Sequence, residues 1–152
     1  MNLDLAKRAA AVTLLLALIP ALEGRRNIPY PDVVNVETVC DGHTGNIENR
    51  PYSDAECDDL LKQDLTTSLD AVGRCTQVDL TPKTIAALAS FTFNVGADAF
   101  CKSTLTKKIN AGYGAKACYE MDRWVYAGHR FIKGLKRRRD VERALCIEGF
   151  QT

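Results

Sequence analysis

The chain has 152 residues, close to half of them apolar and about a quarter charged, which suits one domain with a sizeable core and argues against wholesale disorder. Its formal net charge of +1 argues against a dedicated nucleic-acid binder. Cysteines stand at 40, 57, 75, 101, 118 and 146 with no C-x-x-C pair, and His43 and His129 are not at zinc-finger spacing; no metal site or cofactor is expected, and three disulfides in an oxidising compartment fit better, with fifteen pairings open.

In chain order, Lys7 and Arg8 precede AAAVTLLLALIPAL (9–22), interrupted only by Thr13 and Pro20. As a helix it is about 21 Å long, short of the roughly 30 Å hydrocarbon core. The length suits the apolar part of a secretory signal, yet the run ends in Pro-Ala-Leu-Glu without an A-x-A-like cleavage site. The plain alternative is a buried first helix of the fold, although a helix packed at a domain surface should show one apolar stripe rather than apolar residues all round. A short, weak, uncleaved export segment over residues 1–22, followed by a domain over 23–152, accommodates both facts.

Val33, Val34, Val36, Thr38 and Val39 favour strand, and Pro29, Pro31, Asn35, Asp41-Gly42 and Thr44-Gly45 punctuate them, which predicts a small hairpin or three-stranded meander. SDAE (53–56) is a capping box, and Leu61, Leu65, Leu69 and Val72 recur at helical spacing, so a helix is expected over 54–73. Thr81-Pro82 opens another that stops near Gly96. Shorter helices are expected around 103–110 and 114–126, and a last one over 135–147 with Leu135, Val141, Leu145 and Cys146 facing inward. Trp124 and Tyr126 read as core. The basic residues gathered between Met121 and Arg143 read first as a solvated helix face, and otherwise as a surface for an anionic partner such as a membrane or wall polymer. The fold class is α+β: a small β lobe between an N-terminal helix and a larger helical body.

Glu23 stands directly at the end of the longest apolar run, where desolvation disfavours the charged form of a carboxyl, as a general acid requires. Asp32, in a more open loop, suits a base or a stabiliser of positive charge, and Thr38 can help hold water. Two carboxyls in different environments are what glycosidic cleavage needs, but Glu–Asp pairs are common, and on the residues alone surface carboxylates with a strand threonine remain the simpler reading.

Glu23, eight residues, Asp32, five residues, Thr38, then CDGHTG (40–45) resembles the active-site signature of phage lysozymes, the endolysins of glycoside hydrolase family 24. AECDDLLKQDL (55–65), SFTFNVGADAFCKSTLTKKINAG (90–112), ACYEMDRWVYAG (117–128) and KGLKRRRDVERALC (133–146) extend the likeness over about 130 residues. The resemblance implies a two-lobed fold with a peptidoglycan groove and cleavage between N-acetylmuramic acid and N-acetylglucosamine, with inversion at the anomeric carbon. Glu23 is then the general acid, with Asp32 and Thr38 positioning the water. It further implies a His43–Asp64 pair that supports the fold, Arg138 near the acid, and Asn94 in the groove as a substrate-binding residue. In that fold a Cys40–Cys57 bridge would pin the β lobe, and Cys118 and Cys146 lie on helices that pack together, leaving Cys75 and Cys101.

The N-terminal run resembles a signal-arrest-release segment, which exports an endolysin to the host periplasm while holding it in the inner membrane through residues 9–22. The implied protein is a monomer that lyses its host and needs no nucleic acid. Three departures stand out: Asn35-Val36-Glu37 where the family commonly has Gly-x-Trp, Asp41 before Gly42, and His129-Arg130 where Gly-Lys is frequent. Glu37 and Asp41 are expected to add negative charge near the groove. The rival readings are a lytic transglycosylase, which cuts the same bond without water, and a non-enzymatic wall-binding protein.

Overall fold

The computed structural model describes residues 3–151, so residues 1 and 2 of the expected export segment and residue 152 lie outside it. The first helix, α1 (Leu5–Glu23), is capped by Asp4, whose carboxylate accepts from the Lys7 amide at 3.0 Å, and ends on Gly24 in the left-handed region at φ 69°. An evenly apolar helix would seem to have no preferred side. Packing on the body gives it one: Ala11, Leu15 and Ile19, four residues apart, form a fully buried stripe, while Ala6, Ala9, Ala10, Ala17 and Ala21 face out.

The β lobe follows as an antiparallel sheet of β1 (Arg26–Pro31), β2 (Glu37–Cys40) and β3 (His43–Thr44), in that spatial order. It is the predicted meander, with Thr38 opposite Tyr30 on one side and Thr44 on the other. Its small core joins Val39, Cys40 and Tyr52 to Cys57 on α2 (Asp54–Cys75). The predicted capping box opens α2: Ser53 Oγ accepts from the Glu56 amide, and the Glu56 carboxylate accepts from the Ser53 amide, both at 3.1 Å. Arg50, and then the Ser53 amide, hold the Glu56 carboxyl down at about 2.

α3 (Pro82–Val95), capped by Thr81, is the central helix, with Thr84 through Thr92 buried without interruption. The main core forms where α1, α2 and α6 (Lys133–Phe150) surround it. Two short helices, α4 (Ala97–Lys102) and α5 (Thr104–Asn110), follow; only the second was expected. Residues 114–126 do not form an α-helix. Gly114–Arg123 is instead a 3-10 helix, with Ala117, Cys118, Glu120 and Met121 turned inward. A two-stranded hairpin, β4 (Tyr126–Ala127) and β5 (Arg130–Phe131), then turns at Gly128. Tyr126 lies on it and is exposed against Phe131, so it is not core; Trp124 does pack edge-on against Phe91, at 5.4 Å.

The last helix also corrects an expectation. Leu135 and Leu145 are half-buried, but Val141 is exposed, and the buried face carries Arg138, Arg139, Glu142, Cys146 and Gly149. The basic cluster is therefore only partly a solvated face. At the far end of the α3–α6 seam, Thr81 Oγ1 donates to the Gly149 carbonyl at 2.9 Å and Thr84 Oγ1 to that of Cys146 at 3.1 Å. A Cβ on Gly149 would meet the Thr84 amide nitrogen at 2.5 Å and Thr81 Oγ1 at 2.6 Å. Gly149→Ala is therefore expected to push the helices apart at a cost of about 1–3 kcal/mol, read as a lowered Tm; an unchanged melt would show that the seam relaxes freely.

Three disulfides join Cys40 to Cys57, Cys75 to Cys101 and Cys118 to Cys146, the pairing that the family resemblance implies.

Candidate active site

A cleft of about 330 Å³ opens between the β lobe and the helical body. Glu23 comes to it at the C-terminal end of α1, Asp41 and Gly42 from the β2–β3 turn, Thr44 from β3, Asp64 from α2, and Phe93 and Asn94 from the end of α3. A larger hollow of about 550 Å³ runs along Ala10, Thr13, Leu14, Thr81, Pro82 and Lys83, but no carboxyl lines it.

Three carboxyls line the cleft, and they are held differently. Asp41 is almost fully buried, and both its oxygens accept from Arg25: Nη2 reaches Oδ2 at 2.8 Å and Nε reaches Oδ1 at 3.1 Å. Arg25 also donates to Asp58 at 2.8 Å, and its guanidinium is held far above the ordinary range, chiefly by the hydrogen bond to Asp41. The charge expected at Asp41 is thus neutralised where it stands. Asp64 faces His43 Nδ1 with both oxygens, at 2.9 and 3.2 Å, while His43 Nε2 lies 3.1 Å from the Gly45 carbonyl. Among the described residues, Glu23 accepts only from Arg138 Nη1, through Oε1.

Asp32 and Thr38 are not among the residues lining this cleft. They form a second group, Asp32 on the adjoining β1–β2 turn and Thr38 on β2, built around Val36. Asp32 Oδ1 accepts from the Val34 amide at 2.9 Å and the Val36 amide at 2.8 Å, and Thr38 Oγ1 donates to the Val36 carbonyl at 2.8 Å. Thr38 is nevertheless opposite Thr44, which does line the cleft.

Behind Glu23 lies a buried cluster that reading the sequence did not find. Glu142 is fully buried; its Oε2 accepts from Ser90 Oγ at 2.5 Å and Arg138 Nε at 3.2 Å, and its Oε1 from Arg139 Nη1 at 2.6 Å. Arg138 Nη2 also donates to the Ser90 carbonyl at 3.1 Å. Arg139 donates to the Trp124 carbonyl at 2.9 Å and to Asn94 Oδ1. Burial pulls the Arg139 guanidinium below its ordinary value, and the charge of Glu142 opposes that.

The profile of the Phage lysozyme family matches residues 20–142, which takes in the cleft and all of these groups. The chain belongs to the phage lysozyme family. It is 52% identical over 126 residues to the SAR-endolysin of Escherichia phage Mu, covering 82% of this chain and 73% of that one. Identity to the SAR-endolysin of Bacteriophage PS119 is 48% over 132 residues, 86% of this chain and 79% of that one. Among solved structures, the muramidase domain of SpmX from Asticaccaulis excentricus superposes with a TM-score of 0.82 at 29% identity, covering 88% of this chain and 95% of that one. A mutant of P22 lysozyme superposes with a TM-score of 0.79 at 28% identity, covering 97% and 99%.

In this member of the family the two-lobed α+β architecture is as expected; the structure sets His43 against Asp64 and Arg138 against Glu23, and puts Asn94 in the lining of the cleft. The Arg138–Glu142 and Arg139–Glu142 spacings of four and three residues are readable as helix ion pairs. Nothing in the sequence says that they are buried.

Proposed function

We propose that this muramidase is an endolysin that hydrolyses the β-1,4 bond between N-acetylmuramic acid and N-acetylglucosamine in bacterial peptidoglycan, with Glu23 as general acid. One observation carries the assignment. Of the three carboxyls lining the cleft, Glu23 is the one with an oxygen to spare: Asp41 and Asp64 have both oxygens against a cationic or imidazole partner, while Glu23 engages Oε1 only. Its Oε2 can carry the proton to the leaving glycosidic oxygen.

Asp32 and Thr38 supply the water in this reading. Two amide donors fix Asp32 through Oδ1, leaving Oδ2 as an acceptor. The Thr38 hydrogen is spent on the Val36 carbonyl, so the lone pairs of its Oγ1 remain to accept from water. Both acceptors are referenced to Val36, Asp32 to its N–H and Thr38 to its carbonyl. Attack from the face opposite the leaving group inverts the anomeric carbon.

The N-terminal segment adds control. At 19 residues α1 is about 28 Å long and, by length and composition, able to cross a membrane. In this reading residues 1–22 export the chain to the host periplasm and hold it at the inner membrane. While inserted, the segment cannot dock Ala11, Leu15 and Ile19 on the body, so Glu23 cannot reach Arg138. Release of the helix, for example when the membrane is depolarised, completes the site.

End-group mass spectrometry of fragments cut from purified peptidoglycan, by the released and the membrane-pelleted protein separately, tests this. Reducing muramic ends from the released fraction alone are expected. Anhydro-muramic ends would replace hydrolysis by transglycosylation, no fragments would leave a wall-binding protein, and equal rates from both fractions would remove the tether as a restraint.

A further inference from the structure

We infer that Glu142 is a positioning residue for the reaction: its buried carboxylate aims Arg138 at Glu23 and Arg139 at Asn94, and its charge keeps Glu23 able to carry the proton that the leaving group takes. The inference rests on the reading of Glu23 as the acid.

The geometry is a fork. Glu142 stands four residues after Arg138 and three after Arg139, so one helical turn of α6 presents it to both guanidiniums. Ser90, across the seam on α3, fixes its rotamer by a hydrogen bond of 2.5 Å. From there the guanidiniums diverge, one to the end of α1 and the other to the end of α3, and both targets line the cleft. The acid and a substrate-side amide are thus referenced to one carboxylate that never meets solvent.

Charge gives the second argument. Among the described residues, the ionisable groups of this cluster are Arg138, Arg139 and Glu142 on α6 and Glu23 on α1; α3 contributes the uncharged Ser90 and Asn94 and the Phe91 ring beneath Arg139, and the segment before α6 the Trp124 carbonyl. Across the cleft, Asp41 and Asp64 are held by Arg25 and His43. With Glu142 ionised, the cluster is neutral when Glu23 is ionised and carries one positive charge when Glu23 is protonated. Take the charge of Glu142 away, and the protonated acid faces two uncompensated guanidiniums. The ionised form, which has no proton to give, is then favoured.

The test is kcat and KM for release of reducing ends across acid to mildly alkaline pH, for the wild type, Glu142→Gln and Glu142→Asp. In Glu142→Gln the alkaline limb of the kcat profile is expected to move down by about one pH unit, which is about a tenfold loss above the limb and recovery below it. Glu142→Asp restores the charge and returns the limb toward the wild-type position. A role confined to stability would lower activity by the same factor at every pH, and an unmoved limb in folded Glu142→Gln overturns the inference. Should that variant not fold, Arg139→Gln carries the test with the sign reversed: removing a positive charge moves the limb up, and no movement or a downward one overturns it. Glu23→Gln run in parallel separates the two readings. If it still cuts, the acid is misassigned; if it is dead while the limb in Glu142→Gln stays in place, only the role of Glu142 fails.

Discussion

Glu23→Gln is expected to lower the rate of reducing-end release from purified peptidoglycan by about 10²- to 10⁴-fold, the usual contribution of a positioned general acid. The substitution is close to isosteric, and its amide oxygen can still accept from Arg138, so the Arg138–Glu142–Ser90 arrangement behind it has no reason to collapse. Sedimentation with peptidoglycan and the thermal melt should therefore stay near wild type while turnover disappears. That split is the point of the experiment, because it separates a lost proton donor from a lost fold. A residual rate within tenfold of wild type would mean that another group gives the proton. Asp41 and Asp64 are the remaining carboxyls in the cleft, and both would first have to leave Arg25 and His43.

Reduction of the disulfides is expected to have the largest effect on stability. The three bridges close loops separated by 17, 26 and 28 residues, and these loops neither overlap nor nest. On the chain-entropy account each contributes about 3–4 kcal/mol, and because the loops are disjoint the contributions are close to additive, about 10 kcal/mol in all. That is comparable with the whole stability of an ordinary domain, about 5–15 kcal/mol. Circular-dichroism melts with and without reductant should differ by tens of degrees, or the reduced chain should already be unfolded at room temperature. A shift of only a few degrees would show that the packed core holds alone. The consequence for function is spatial. Cys40 ends β2 immediately before Asp41 and Gly42, so the Cys40–Cys57 bridge ties a wall of the cleft to α2. Losing it should cost activity before it costs helix content.

Much of this protein is legible in its sequence, for local reasons. A capping box, a Thr-Pro helix start and a valine-rich stretch cut by turn residues act within a few residues of themselves, and α2, α3 and the meander duly lie where they predict. The spacing of Glu23, Asp32 and Thr38 carried the family likeness for the same reason. What failed was local pattern competing with packing. Residues 114–123 wind as a 3-10 helix although their inward set also fits an α-helix, in a segment packed between α5 and α6 and tied to α6 by the Cys118–Cys146 bridge. Val141 faces solvent because the inward face of α6 went to an ionic cluster instead.

The sequence by itself determined the order of the long helices and the meander between the first two, and the presence of a carboxyl at the end of an apolar helix. Only the tertiary structure decided which side of that helix is inside, since an evenly apolar helix turns inward whichever face the body can fit. It also decided that Asp41 is neutralised and that two arginines of a basic run are buried on one glutamate. Such outcomes depend on partners 16 to 52 residues away along the chain, Arg25 for Asp41 and Ser90 for Glu142. A burial that would be prohibitive for either charge alone becomes favourable only when the fold delivers the other.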